Sequence, residues 1–119
     1  MRLTIHHLPQ VISTNITAKE YIALGAEEGT VVVADEQTGG LGSRGKTWHS
    51  PVGNLYCSFI LKPPALLEPC YPELAMVAGV ALQKALHDLL PTLLVRLKSP
   101  NDVLVENKKL AGALIEVEK

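Results

Sequence analysis

The chain has 119 residues, 47% of them hydrophobic, and a formal net charge of -1, which fits one folded domain or part of one and excludes nucleic-acid binding driven by a broad basic field. Cys57 and Cys70 lack metal-ligand spacing, and no other metal-binding pattern is present, so both are expected as free thiols of a cytoplasmic protein. Met1-Arg2-Leu3-Thr4-Ile5-His6-His7 has no signal-peptide apolar block and no apolar run approaches spanning length, so no membrane partner is expected.

In chain order, residues 2–12 read as a strand of irregular alternation interrupted by Pro9. Ser13-Thr14-Asn15 precede Ala18, Tyr21, Ile22 and Gly25, whose spacing suits one face of a short helix with Ser13 or Thr14 as N-cap. Residues 30–34 form an apolar, β-branched run of the kind buried on both faces of a sheet, and residues 54–61 return as a second interior strand. Residues 62–72 read as a proline-rich surface loop. Residues 72–90 are the longest helix candidate, with Leu74, Val77, Ala78, Ala81, Leu82, Ala85, Leu86 and Leu89 on a core face and His87 and Asp88 solvated. A strand over 93–97 leads through a tight polar corner at Ser99-Pro100-Asn101-Asp102. A hairpin of 103–105 and 109–117 then turns at Glu106-Asn107-Lys108, with Asn107 in the left-handed conformation.

Between the apolar runs lies the stretch Gln37-Thr38-Gly39-Gly40-Leu41-Gly42-Ser43-Arg44-Gly45-Lys46-Thr47-Trp48. Its four glycines permit positive φ and a concave set of backbone N–H groups, Arg44 and Lys46 add charge, and Trp48 offers a face for stacking a heterocycle. The expectation is a bound nucleotide. Gly40 to Thr47 also fits the phosphate-loop pattern, and Gly40 to Gly45 the dinucleotide fingerprint, but both need a helix directly afterwards. Pro51 and Gly53 oppose one.

Five segments in order resemble the catalytic domain of biotin protein ligases. They are Ser13-Thr14-Asn15; Gln37-Thr38-Gly39-Gly40 with Gly42, Arg44 and Gly45; Trp48 with Ser50-Pro51; Gly53-Asn54-Leu55-Tyr56 with Ser58; and Pro100-Asn101-Asp102 followed by Lys109-Leu110-Ala111-Gly112. The resemblance implies an α+β fold, a mixed β-sheet backed by helices as in class II aminoacyl-tRNA synthetases. It implies ATP-dependent activation of biotin to biotinyl-5'-adenylate and transfer to a lysine of a biotin carboxyl carrier protein, with Mg²⁺ carried on the ATP phosphates and homodimerisation through a sheet edge. By the same resemblance Ser13, Thr14, Asn15, Gln37, Gly40, Leu41, Gly42, Ser43 and Lys109 border biotin, and Arg44, Gly45, Trp48 and Asn101 the adenylate. Lys109 and Arg44 are the candidate catalytic cations, since joining a carboxylate to an α-phosphate is helped most by positive charge already in place.

Three departures accompany the resemblance. Leu41 and Ser43 stand where many members carry arginine, Ser99 stands where many carry tryptophan, and the family's later strands and small β-barrel find no counterpart. Residues 1–119 are therefore expected to be the N-terminal part of such a catalytic domain, without the DNA-binding domain of regulatory members, either as a fragment or as a short relative. The alternatives are a non-catalytic module binding biotin or its adenylate, a lipoate or octanoate ligase, and an NTP hydrolase using residues 40–47.

Overall fold

A computed structural model describes residues 1–118. The chain divides into two compact units, Met1–Pro63 and Pro64–Val117, both of mixed helix and strand.

In the first unit, β1 (Thr4–Val11) runs parallel to β2 (Thr30–Gln37), which pairs antiparallel with β3 (Tyr56–Phe59). The sheet order β1-β2-β3 makes β2 the interior strand, and Val31, Val32 and Ala34 are buried as their apolar run requires. Val32 is fully covered, packing with Ala18 and Ile60 while Leu8, Tyr21 and Ala26 close around them, a burial contributing about 1.5–3 kcal/mol. Pro9 does not interrupt β1. An edge strand tolerates a residue without N–H where no ladder bond is demanded, and pairing with β2 resumes at Gln10. The expectation of a second interior strand over 54–61 is also corrected. β3 is a shorter edge strand, with no pairing on its outer side among the described residues, and its Phe59 side chain is exposed.

The intervening helix α1 (Thr14–Ala23) starts where Ser13 Oγ accepts the Ile16 N–H at 3.1 Å, a cap worth about 1 kcal/mol. Its end is closed by Gly25 at φ +90, with Gly25 N–H donating to Ile22 O and Ala26 N–H to Tyr21 O, both at 2.9 Å. That pair of bonds needs a left-handed residue after the last turn, which glycine supplies without strain.

In the second unit, β4 (Val95–Lys98), β5 (Asp102–Val105) and β6 (Lys108–Gly112) form an antiparallel meander. The polar corner at 99–101 links β4 to β5 as expected, and Glu106 and Asn107, at φ 52 and 62, make the two-residue turn into β6. β6 ends at Gly112 and not at Val117, and the ladder carries a bulge opposite Val103/Leu104. The expected loop over 62–72 is in large part a 3-10 helix, Ala65–Glu73, leading directly into helix α2 (Leu74–Leu89). Taken together Ala65–Leu89 is long and apolar enough by composition to cross a membrane, contrary to the sequence expectation. It is, however, broken by Pro69 and Pro72, and its 16-residue α-helical part is about 24 Å long against a hydrocarbon core of about 30 Å.

The core face expected for α2 is corrected as well. Leu74, Ala78 and Leu86 of that face are half-buried, but Val77, Ala81, Leu82, Ala85 and Leu89 are exposed, and the buried positions are Ala75 and Gly79, with Gln83 half-buried. With apolar residues nearly all round, α2 is seated by its smallest ones. A Cβ on Gly79 would lie 3.6 Å from Leu97 Cδ2, and Gln83 Nε2 donates to Val95 O at 2.8 Å.

Candidate functional site

The glycine loop leaves the end of the interior strand β2 and returns into β3, so its two ends are held by one sheet. Thr38 and Gly39 N–H donate to Val11 and Ile12 carbonyls, Gly42 N–H to Lys46 O at 2.7 Å and Trp48 N–H to Gly40 O at 2.8 Å. Bridges Leu41↔Thr47 and Gln37↔Ser50 close the loop into a ribbon. No α-helix follows it, and its own tip carries only a three-residue 3-10 turn at Ser43–Gly45, so the helix beginning near Lys46 that an NTP-hydrolase phosphate loop needs is lacking here.

The expectation that the glycines supply positive φ holds only at Gly45, φ +71, beside Arg44 at φ 59. Gly40 is glycine for space. A Cβ there would sit 2.6 Å from Ser50 Oγ, 2.7 Å from Trp48 O and 2.8 Å from Gln37 Nε2. Part of the expected N–H concavity is likewise spent inside the ribbon, on the bonds just given. Leu41, Ser43, Arg44 and Lys46 line an exposed tip, while the half-buried Trp48 ring lies over Gly42, 3.5 Å from where that residue's Cβ would be.

Beside the root of the loop, the structure brings together the polar residues singled out at the start of α1. Gln37 Oε1 accepts the Thr14 N–H at 2.8 Å and its Nε2 donates to Ser50 Oγ at 3.0 Å. Thr14 Oγ1 and Ser58 Oγ share a hydrogen bond of 2.7 Å, and Ser58 Oγ also bonds Asn15 Oδ1. Ser13, Thr14, Ser50 and Ser58 are all buried. Ser50 and Ser58 carried no individual role in the sequence reading. The signal available for Ser58 was its place on the same strand face as Tyr56, two residues apart, both buried. This first-unit cluster offers hydroxyls and amides, the equipment for a neutral head group with both donors and acceptors.

Asn101, Asp102 and Lys109 lie in the second unit. Asn101 Nδ2 donates to Ala113 O at 2.9 Å while its own carbonyl accepts Ala113 N–H at 3.1 Å, so it ties the corner to the segment after β6. Lys109 Nζ lies 2.9 Å from Asp102 Oδ1. That buried oxygen has no donor in hydrogen-bonding alignment among the described residues, so the contact is a charge pairing more than an aligned bond. Gly112, opposite Asp102 in the ladder, leaves room for the lysine: a Cβ there would approach Lys109 Cε to 3.0 Å and Nζ to 3.2 Å.

Residues 8–119 match the biotin/lipoate A/B protein ligase family. The chain therefore belongs to that family. The chain is 39% identical over 107 residues to the bifunctional ligase/repressor BirA of Bacillus subtilis, covering 89% of this chain and 32% of the relative. It is 38% identical over 112 residues to the biotin–[acetyl-CoA-carboxylase] ligase of Paracoccus denitrificans, covering 92% of this chain and 45% of the relative. Among solved structures, biotin protein ligase from Leishmania major in complex with biotinyl-5-AMP superposes with a TM-score of 0.85 at 32% identity, over 97% of this chain and 52% of that one. The Aquifex aeolicus enzyme in complex with biotin and ATP gives 0.82 at 35% identity, over 98% and 47%. The fold is thus the α+β fold of biotin protein ligase catalytic domains, and the chain spans a third to a half of the length of these relatives.

Proposed function

We propose that this chain takes part in ATP-dependent biotinylation, activating biotin to biotinyl-5'-adenylate and passing the acyl group to a lysine of a biotin carboxyl carrier protein. The observation that carries it is the polar cluster Ser13-Thr14-Asn15 with Gln37, seated at the root of a cationic glycine loop in a member of this family. Family members similar to this chain have been solved with biotinyl-5-AMP and with biotin and ATP.

In the first step a biotin carboxylate oxygen attacks the α-phosphorus, an O–P bond forms, and pyrophosphate leaves. In the second, a neutral lysine amine attacks the acyl carbon, the C–N bond forms, AMP departs with the C–O electron pair, and the surplus proton of the amine passes to the departing AMP or to solvent. Ser13, Thr14, Asn15 and Gln37 bind the ureido ring, the glycine loop from Gly40 through Leu41, Gly42 and Ser43 to Gly45 encloses the adenylate with the Arg44 charge, Trp48 packs near adenine, Asn101 is adenylate-side, and Lys109 supplies positive charge to the reacting anions. By the family resemblance Mg²⁺ would be carried on the triphosphate of ATP, where it would offset the phosphate charge. Free Cys57 and Cys70 support a reducing, cytoplasmic setting, and a second copy would add at a sheet edge.

The test is pyrophosphate release with biotin, ATP and Mg²⁺, with wild type and Lys109→Ala in parallel. Release that depends on biotin and falls about 100-fold or more in Lys109→Ala is expected. Release independent of biotin, or equal in the two proteins, rejects the assignment.

A further inference from the structure

A primary carboxamide can present either end to a ligand, so a site that reads a ureido ring through Gln37 needs something to decide which end faces where. Two neighbours constrain it here. The Thr14 backbone N–H can only donate, and it meets Gln37 Oε1 at 2.8 Å. On the other side stands Ser50 Oγ, 3.0 Å from Gln37 Nε2.

A hydroxyl is ordinarily indifferent, because it both donates and accepts. Ser50 is not, since its single proton is given to Trp48 O at 2.8 Å. Its oxygen is left with acceptance alone, and only the N–H end of Gln37 satisfies it. The side chain is buried at 4% exposure, so water cannot readily substitute for either partner. The backbone adds a further tie, Gln37 N–H to Ser50 O at 3.1 Å, and the three atoms of the junction fill the space above Gly40 where a Cβ would be.

We propose that Ser50 is a positioning residue which sets the polarity of the Gln37 carboxamide and joins it to the Trp48 carbonyl at the root of the glycine loop. Gln37 then offers its remaining N–H and the free side of Oε1 in one arrangement, and whatever steadies Gln37 steadies the loop. This deepens the biotin assignment and rests on it for the identity of the ligand. The relay from Ser50 through Gln37 to Thr14 is a property of the protein without ligand.

The experiment compares wild type, Ser50→Ala and Ser50→Thr. Amide hydrogen exchange without ligand comes first. In Ser50→Ala the Thr14 N–H, 36 residues away in sequence, is expected to exchange about tenfold faster, the loss of roughly one hydrogen bond's worth of order, while Val31–Val33 in the same sheet keep their protection. Ser50→Thr, which keeps the hydroxyl, restores the wild-type rate. Titration calorimetry and pyrophosphate release follow, with biotin affinity expected to fall about tenfold in Ser50→Ala and the KM for ATP to stay within about twofold. Unchanged Thr14 exchange in Ser50→Ala overturns the proposal, as does an equal rise in the KM for ATP, which a general loss of structure would produce. Faster Thr14 exchange in a protein whose wild type binds no biotin upholds the Ser50 relay and rejects the biotin assignment instead. Should Ser50→Ala not fold, Ser50→Cys, of similar volume but a weak acceptor, replaces it with the same readouts.

Discussion

At the root of the glycine loop Gly40 has backbone and side-chain atoms within 2.6–2.8 Å of any added Cβ, whereas at the tip Gly45 has nothing within 4 Å and a φ of +71. One position excludes a side chain by what lies opposite it; the other excludes it by the conformation of its own backbone. The root is buried and its polar groups are committed to one another, while Arg44 and Lys46 at the tip stand in solvent. A loop built this way holds its ends still and leaves its charges to meet a ligand.

The strongest way to break this contrast is Gly40→Ala. Two of its three near neighbours, the Ser50 hydroxyl and the Gln37 amide, are buried in the junction or bound to it, and the third is Trp48 backbone, so relief requires the ribbon to open. A loss of about 1–3 kcal/mol in urea unfolding is expected, with weakened biotin binding. Gly45→Ala should cost about 1 kcal/mol through its left-handed backbone alone, with no change in biotin affinity. Equal losses at the two positions would erase the distinction between root and tip. Gly39→Ala sharpens it further, because its Cβ would meet Ile12 Cγ2 at 2.8 Å, a single methyl of an exposed side chain that a change of χ1 moves aside. A loss of less than about 1 kcal/mol in the same urea assay is expected there.

The smallest effect concerns Cys57 on β3, the strand that receives the loop, whose thiol is pushed up by burial. The folded protein keeps a proton that the unfolded chain releases, so this contribution to stability is constant below the ordinary thiol range and is lost as pH rises above it. Urea midpoints measured across the alkaline range should fall more steeply for the native chain than for Cys57→Ser, and parallel profiles would show that β3 does not shield the thiol. Iodoacetamide should modify the exposed Cys70 well before Cys57.

Much of this architecture is written in local patterns. Ser13 before residues of helical spacing gives the helix start, the β-branched run at 31–33 gives the interior strand, and Asn107 gives the hairpin turn. Pro51 and Gly53 after the loop are enough to exclude a following helix, and the five ordered segments are enough to place the chain in its family. These features follow from backbone preference and hydrophobic period, which act over a few residues and so can be read from a few residues.

What needed the tertiary structure has a different origin. That Gly40 serves space and not φ, that α2 packs through Ala75 and Gly79, and that Lys109 passes over Gly112 to Asp102 all depend on which atoms lie opposite. The same holds for Ser50, an ordinary serine until its proton is seen to be spent on Trp48 O. Steric exclusion and the direction of a buried hydrogen bond are properties of pairs brought together across the fold, and no single position in a sequence carries them.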